Sequence, residues 1–360
     1  MITANEIIRH EVEKHGVVPF ARFMELALYH PGTGYYEREK SPGKRGDFYT
    51  SVSVGSLFGE LLAFQFAEWL EAEAGNQKPE VRIIEAGAHD GQLAKDILNW
   101  LQSHRPKLFS EINYTIIEPS PCRQKWQRET LKDFKNVEWF SNFENLKSKT
   151  PNSKLNGIVF SNELLDAFPV RRFGWNAKEK KWFEWGVSFD GDKFVWAKIQ
   201  NPEFRIQNSE LESVLPDNFT LETSPAAESW WRDASKICER GKLLTLDYGL
   251  TTEEIFSPAR TNGTLRAYFK HRVSDDILAN AGEQDITAHI NFSAIQKIGE
   301  DEGLITEFFD TQSKFLTEIL AKAAKSNSFR EWNSNQTRQF QTLTHPEHLG
   351  RAFRVLVQSR

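Results

Sequence analysis

Glycines and acids at fixed spacing are the first residues in this chain that could do chemistry. Glu85, Gly87 and Gly91 stand in Glu85-Ala86-Gly87-Ala88-His89-Asp90-Gly91-Gln92-Leu93, directly after the β-branched run Val81-Arg82-Ile83-Ile84. Glycine between a strand and a helix start leaves backbone N–H groups bare and lets a ligand come close. A second acid, Glu118, ends the apolar run Tyr114-Thr115-Ile116-Ile117, about one strand–helix unit later. A carboxylate in that place can accept both hydroxyls of a ribose. The glycine spacing is not G-x-G-x-x-G, which argues against a dinucleotide. An ordinary strand-to-helix turn with an acid at a strand end has the same look.

Asn162 and Glu163 follow another apolar run, Gly157-Ile158-Val159-Phe160, and Asp166 comes shortly after them. Open α/β sheets bind ligands at the carboxyl ends of their strands. Two acids there could clamp a guanidinium and polarise an attacking nitrogen. Asp166 could equally cap the next turn, and Glu163 could make a structural ion pair. A hydroxyl acceptor would want a histidine base, for which His271 and His289 stand in one later stretch. A lone histidine also serves structure.

Elements must hold these residues. Thr3 can cap a helix to about His15, Pro19 opens another over Phe20–Tyr29, and an apolar helix runs from about Gly55 to Ala74. Strands are expected at Val81–Glu85, Tyr114–Glu118, Val137–Phe140, Gly157–Phe160 and Lys242–Gly249, with helical patterns between them. That alternation predicts an α/β fold with a doubly wound parallel sheet. The division expected is a helical extension over 1–78 and a main domain over 79–360. The main domain carries insertions at about 170–220, rich in short strands with a hairpin turn at Asp190-Gly191-Asp192, and at about 250–290. Leu304–Phe309 and Ala352–Val357 would close the sheet as an antiparallel pair. The polar stretch Ser326–Thr344 reads as a surface connection.

Composition narrows the class. With 360 residues and 39% hydrophobic content the chain can bury a full core. A net charge of −5 without a basic run gives nucleic acid no electrostatic footing. Cys122 and Cys238 form neither a metal-type pair nor a disulfide framework, so no metal is expected. No apolar run has membrane length. A cytoplasmic enzyme is the expectation.

With those pieces in place, the chain resembles the MidA family of S-adenosylmethionine-dependent methyltransferases, related to an arginine methyltransferase that assists mitochondrial complex I assembly. The resemblance rests on Phe20-x-x-Phe23-Met24-x-x-Ala27-Leu28-Tyr29-His30-Pro31-x-x-Gly34-Tyr35-Tyr36, Gly46-Asp47-Phe48-x-Thr50-Ser51, Phe58-Gly59 and Glu85-x-Gly87. It continues through Asn162-Glu163-Leu164-Leu165-Asp166-Ala167-x-Pro169-Val170, Asp247-Tyr248-Gly249, Gly263-Thr264-Leu265-Arg266-x-Tyr268 and Asp285-Ile286-Thr287-Ala288-His289-x-Asn291-Phe292. It implies a class I, Rossmann-like, seven-stranded sheet, with the N-terminal extension covering the site of S-adenosylmethionine. Gly46, Asp47, Thr50, Glu85, Gly87, Gly91, Glu118 and Asn162 are the cofactor-binding candidates. Thr50 and Asp47 could instead cap the helix that follows. Glu163, Asp166 and His289 are the catalytic candidates. Two departures from the family pattern are Val52, where proline is usual, and His89-Asp90 in the glycine turn. His89 would crowd the amino-acid end of the cofactor or hydrogen-bond its carboxylate.

The resemblance implies methylation of a protein side chain, arginine among them. A small-molecule O- or N-methyltransferase and a non-catalytic assembly factor are the alternatives. The partners expected are an acceptor protein or small molecule, with no nucleic acid and no membrane, and a homodimer is left open.

Overall fold

The computed structural model describes residues 2–38, 50–73, 81–150, 156–200, 204, 212, 214–257, 260–270, 272–326, 329 and 332–360. Gly46, Asp47 and His271 lie outside them. The chain forms two compact units: Tyr49–Leu165, Ser229–Tyr248 and Ala294–Arg360 make one, and Met1–Phe48, Asp166–Glu228 and Gly249–Ser293 the other. The expected boundary near residue 78 is not where this division falls. The helix Leu57–Glu73 groups with the sheet, as do the residues from Tyr49 on, and Met1–Phe48 groups with the insertions.

The first unit is built on parallel strands β1 (Val81–Ala86), β2 (Ile112–Ile117), β3 (Val137–Phe140), β4 (Asn156–Asn162) and β5 (Arg240–Leu250), followed by β6 (Ile305–Thr311) and β7 (Phe353–Ser359). Their order is β3-β2-β1-β4-β5-β7-β6, with β7 antiparallel to β5 and β6 antiparallel to β7. Seven strands were expected, and among the described residues the sheet has eight. The extra one, Ile290–Asn291, pairs with Gly249–Leu250 and is too short to leave a periodic signal in sequence.

The β-branched and aromatic residues of the strands are buried on both faces, as a parallel sheet covered by helices requires. Ile83, Tyr114, Ile116, Phe160, Leu244 and Leu246 share one core with Leu57, Phe58, Leu61 and Phe64 of the helix Leu57–Glu73. Each such side chain contributes about 1.5–3 kcal/mol of transfer free energy. Gly59 lets this helix lie against Gln92–His104, because a Cβ there would sit 2.6 Å from Asp96 Cβ.

The polar stretch read as a surface connection contains a helix, Ser334–Thr344. Asn333 and Gln336 form its capping box, and Gln339 reaches back to accept a hydrogen bond from the Leu57 amide at 3.1 Å. Its buried stripe is only Gln339 and Leu343, too thin to read as amphipathic.

In the second unit Thr3 caps the helix Ala4–His15 through a capping box with Glu6. The expected β-rich insertion is an antiparallel sheet of Arg171–Asn176, Lys181–Asp190, Lys193–Ile199 and Thr220–Thr223, joined by Val18–Pro19. Phe20, Phe23 and Met24 of the helix Phe20–Tyr29 pack with Val187, Leu265, Ala267 and Ile286, so the earliest residues and the two insertions share a core.

Candidate functional site

Strand register brings the sequence-read residues of the first unit to one edge. Ala86 pairs with both Ile117 and Ser161, and Leu246 pairs with Asn162. The carboxyl ends of β1, β2 and β4 are therefore level to within a residue, while β5 runs on past them to Leu250. Gly87, Glu118 and Glu163 leave their strands side by side, and Asp247 lies next to them within β5.

The turn after β1 runs through left-handed backbone at Gly87 (φ 75°), His89 (φ 46°) and Gly91 (φ 86°). A Cβ on Gly87 would fall 2.8 Å from the Leu164 side chain, so glycine is needed there for conformation and for space. Gly91 is the N-cap of Gln92–His104 and offers no side-chain cap, while Asp90 Oδ1 accepts from the Gln92 amide at 3.1 Å. The His89 side chain is 56% exposed, and its ring stands 3.7 Å from the Asp90 carboxylate.

Glu85 lies within β1, 2% exposed, and accepts the Tyr114 hydroxyl at 2.6 Å. Burial pushes its carboxyl up to about 8, against the opposing effect of the Tyr114 bond. Near neutral pH it is protonated.

Glu118, 1% exposed, accepts from the Ser120 amide at 2.9 Å and from Gln127 Nε2 at 3.2 Å, and pairs with Arg123 at 3.1 Å. Gln127 also donates to the His89 carbonyl at 3.1 Å and accepts from Trp139 Nε1 at 3.0 Å. This fully buried amide ties the glycine turn to the acid of β2. Sequence reading missed it, because a glutamine on a polar helix carries no signal of its own.

At the end of β4, Glu163 takes a left-handed backbone (φ 50°), and its amide donates to Leu246 O at 3.0 Å. A non-glycine residue there costs about 1–2 kcal/mol and needs surroundings that hold it. Those surroundings are specific. Glu163 Oε1 accepts from the Ser51 amide at 3.2 Å and from Asn162 Nδ2 at 3.1 Å. Asp247, fully buried, accepts from the Leu164 and Leu165 amides at 3.1 and 2.9 Å through Oδ2, and from the Tyr248 amide at 2.8 Å through Oδ1. Asp247 was noticed in sequence only as part of a motif, and its bracing of this turn follows from register alone. Asn162 Oδ1 is buried with no hydrogen-bond partner among the described residues. Leaving such an acceptor unpaired costs about 1–3 kcal/mol. Thr50 is the N-cap of the four-residue helix Ser51–Val54, sharing a capping box with Ser53, and not of the helix beginning near Gly55 for which capping was weighed from sequence, which starts at Leu57.

Asp166 and His289 belong to the second unit. Asp166 is buried, and its carbonyl accepts from the Ala288 amide at 3.0 Å. The His289 amide donates to Thr264 Oγ1 at 3.1 Å. Burial pushes its imidazole down to about 4, with the Arg260 and Arg266 guanidinium groups adding to the effect. Near neutral pH the ring is uncharged and a weak base. In the same unit Tyr36 donates to Asp285 Oδ1 at 2.7 Å, and Thr264 donates twice to Glu222 Oε2.

A family described as "Putative S-adenosyl-L-methionine-dependent methyltransferase" matches residues 61–309. The chain is similar to the mitochondrial protein arginine methyltransferase NDUFAF7 homolog of Drosophila melanogaster, at 25% identity over 97% of this chain and 83% of that protein. It is similar to the mitochondrial protein arginine methyltransferase NDUFAF7 of Mus musculus, at 27% identity over 81% of this chain and 69% of that one. A Burkholderia thailandensis crystal structure bound to S-adenosyl-homocysteine matches it with a TM-score of 0.82 and 30% identity, over 99% of this chain and 92% of that chain.

Proposed function

The chain belongs to this MidA-like family of S-adenosylmethionine-dependent methyltransferases, and from that premise we propose that it methylates a nitrogen of a protein side chain, arginine in particular. It is an enzyme with the class I methyltransferase fold, and its methyl donor is S-adenosylmethionine. The residues at the sheet edge fit that donor. Gly87 and Gly91 put no side chain at two of the turn's left-handed positions, and Glu118 presents a buried carboxylate where ribose hydroxyls are held in such sheets. When bound, the donor supplies an electrophilic methyl on a sulfonium.

The chain's own work is to orient the acceptor nitrogen and take one proton from it. Glu163 carries this reading. Its carboxylate is fixed at the end of β4 by the Ser51 amide and Asn162, on backbone that a glutamate does not adopt without support. An anchored carboxylate suits a guanidinium, which offers N–H groups in a planar fork. The fly and mouse relatives named as protein arginine methyltransferases support arginine over other nitrogens.

The test is mass spectrometry of an arginine-containing peptide incubated with the protein and S-adenosylmethionine. A matched lysine peptide is run beside it. Methyl addition to the arginine peptide alone is expected. Glu163→Gln should lower that turnover about a hundredfold or more while S-adenosyl-homocysteine affinity holds. Undiminished turnover removes Glu163 from the reaction.

A further inference from the structure

We infer that Gln127 is a positioning residue of the donor site, whose side-chain amide sets the Glu118 carboxylate to receive the ribose hydroxyls. Gln127 lies on the helix Pro121–Thr130, which starts just beyond Glu118, and its side chain is fully buried. One face of that helix turns back on the end of β2. Gln124 Nε2 donates to the Glu118 carbonyl at 2.7 Å, and Gln127 Nε2 reaches Glu118 Oε2 at 3.2 Å. The two glutamines stand three residues apart, the spacing that puts helix side chains on one face.

The orientation of the Gln127 amide is determined from both ends. The His89 carbonyl can only accept, so the end 3.1 Å from it is nitrogen. Trp139 Nε1 can only donate, so the end 3.0 Å from it is oxygen. With one Nε2 hydrogen on the His89 carbonyl, the other is directed at Glu118 Oε2. The carboxylate is thereby gripped at both oxygens, Oε1 by the Ser120 amide and Arg123, Oε2 by Gln127. A Cβ on Gly91 would lie 3.4 Å from Gln127 Cα, so the glycine turn itself packs on this position of the helix.

A carboxylate fixed in plane and direction meets two neighbouring hydroxyls without first being ordered. Without the Gln127 donor, Oε2 can swing, and the hydrogen bonds that weaken are those to the ribose rather than those to the base. The inference rests on the reading of Glu118 as the ribose acid. It adds that this acid works through a glutamine which touches no part of the donor itself.

Displacement calorimetry against S-adenosyl-homocysteine, on the full chain, compares adenosine with 2′-deoxyadenosine, a pair that differs only in a ribose hydroxyl. The wild type should prefer adenosine about tenfold or more. Gln127→Met keeps length and volume and should cut that preference to about threefold or less, with adenosine losing more than 2′-deoxyadenosine. A general loosening of the site would weaken both nucleosides alike. Trp139→Phe is the second variant, at a half-buried position on the edge strand β3. It keeps Gln127 but removes the N–H that holds the amide oxygen, so the preference should fall part of the way. Gln127→Met decides if circular dichroism shows it folded, and Trp139→Phe decides otherwise. A full preference in the deciding variant, or equal losses for both nucleosides, overturns the role of Gln127 and leaves Glu118 on the ribose. No preference in the wild type takes Glu118 off the ribose, and the inference falls with it.

Discussion

Tyr114 donates its hydroxyl to Glu85 Oε2 across 2.6 Å, and both side chains are shut off from solvent beneath the glycine turn. Two neighbouring parallel strands make this possible, because the register that pairs Ile83 with Tyr114 brings the phenol within reach of the acid two residues along β1. The hydrogen bond favours the ionised acid, but burial outweighs it and lifts the carboxyl to about 8.

That shift makes stability depend on pH in a defined window. The unfolded chain ionises Glu85 near its ordinary 4.5, and the folded chain near 8, so the folded form holds the extra proton between them. The stability is fully present below about 4.5 and is lost as pH rises towards 8. Urea unfolding of wild type and Glu85→Gln at pH 5, 6.5 and 8 reads it directly. The wild type should lose stability relative to the variant by a few kcal/mol, roughly, across that range. A difference that stays flat would mean that Glu85 titrates at its ordinary value.

Glu118 is expected to matter to ligand and fold together. Glu118→Gln keeps the shape but removes the charge that faces Arg123, whose side chain is only 11% exposed. S-adenosyl-homocysteine should bind about tenfold more weakly or worse, and unfolding free energy should fall by about 1–3 kcal/mol. Calorimetry and denaturant titration on one preparation separate the two effects. Retained affinity in the variant would take Glu118 out of the cofactor site.

Asp247 offers a third check. Asp247→Ala strands the Leu164 and Leu165 amides in the interior, so a loss of about 3 kcal/mol or more is expected. Asp247→Asn keeps one acceptor oxygen and should fold. It should lower kcat on the arginine peptide several-fold through the displaced Glu163 turn, with S-adenosyl-homocysteine affinity held. A full-rate asparagine variant would show that the turn keeps its shape without the second oxygen.

Much of this was legible in the chain. The β-branched runs around Ile83, Ile116 and Val159 mark strands because a parallel sheet buries both faces, and glycine at 87 and 91 marks the turn because left-handed backbone excludes most side chains. Glu118 and Glu163 were readable from their places at strand ends. What stayed hidden was long-range or polar. Gln127 reaches the His89 carbonyl, and Ser51 reaches Glu163, across many residues that no local spacing records. The helix Ser334–Thr344 escaped because its few buried positions give almost no periodicity, although its Asn333–Gln336 capping pair was there to be read. Glu85 was taken for a cofactor residue from its motif, whereas its burial against Tyr114 depends on a neighbouring strand.

The two units are assembled from six alternating stretches of chain, so the polypeptide passes between them five times. Two of those passages fall at Leu165–Asp166 and Tyr248–Gly249, immediately after the Glu163 turn and after Asp247. Neither unit is therefore a cassette that a gene could gain or lose by joining at one end. Lineages of this fold can diversify by lengthening or trimming the stretches 166–228 and 249–293, each tethered at its start to the end of a sheet strand. Shuffling whole pieces would cut through the very strand ends that carry the chemistry.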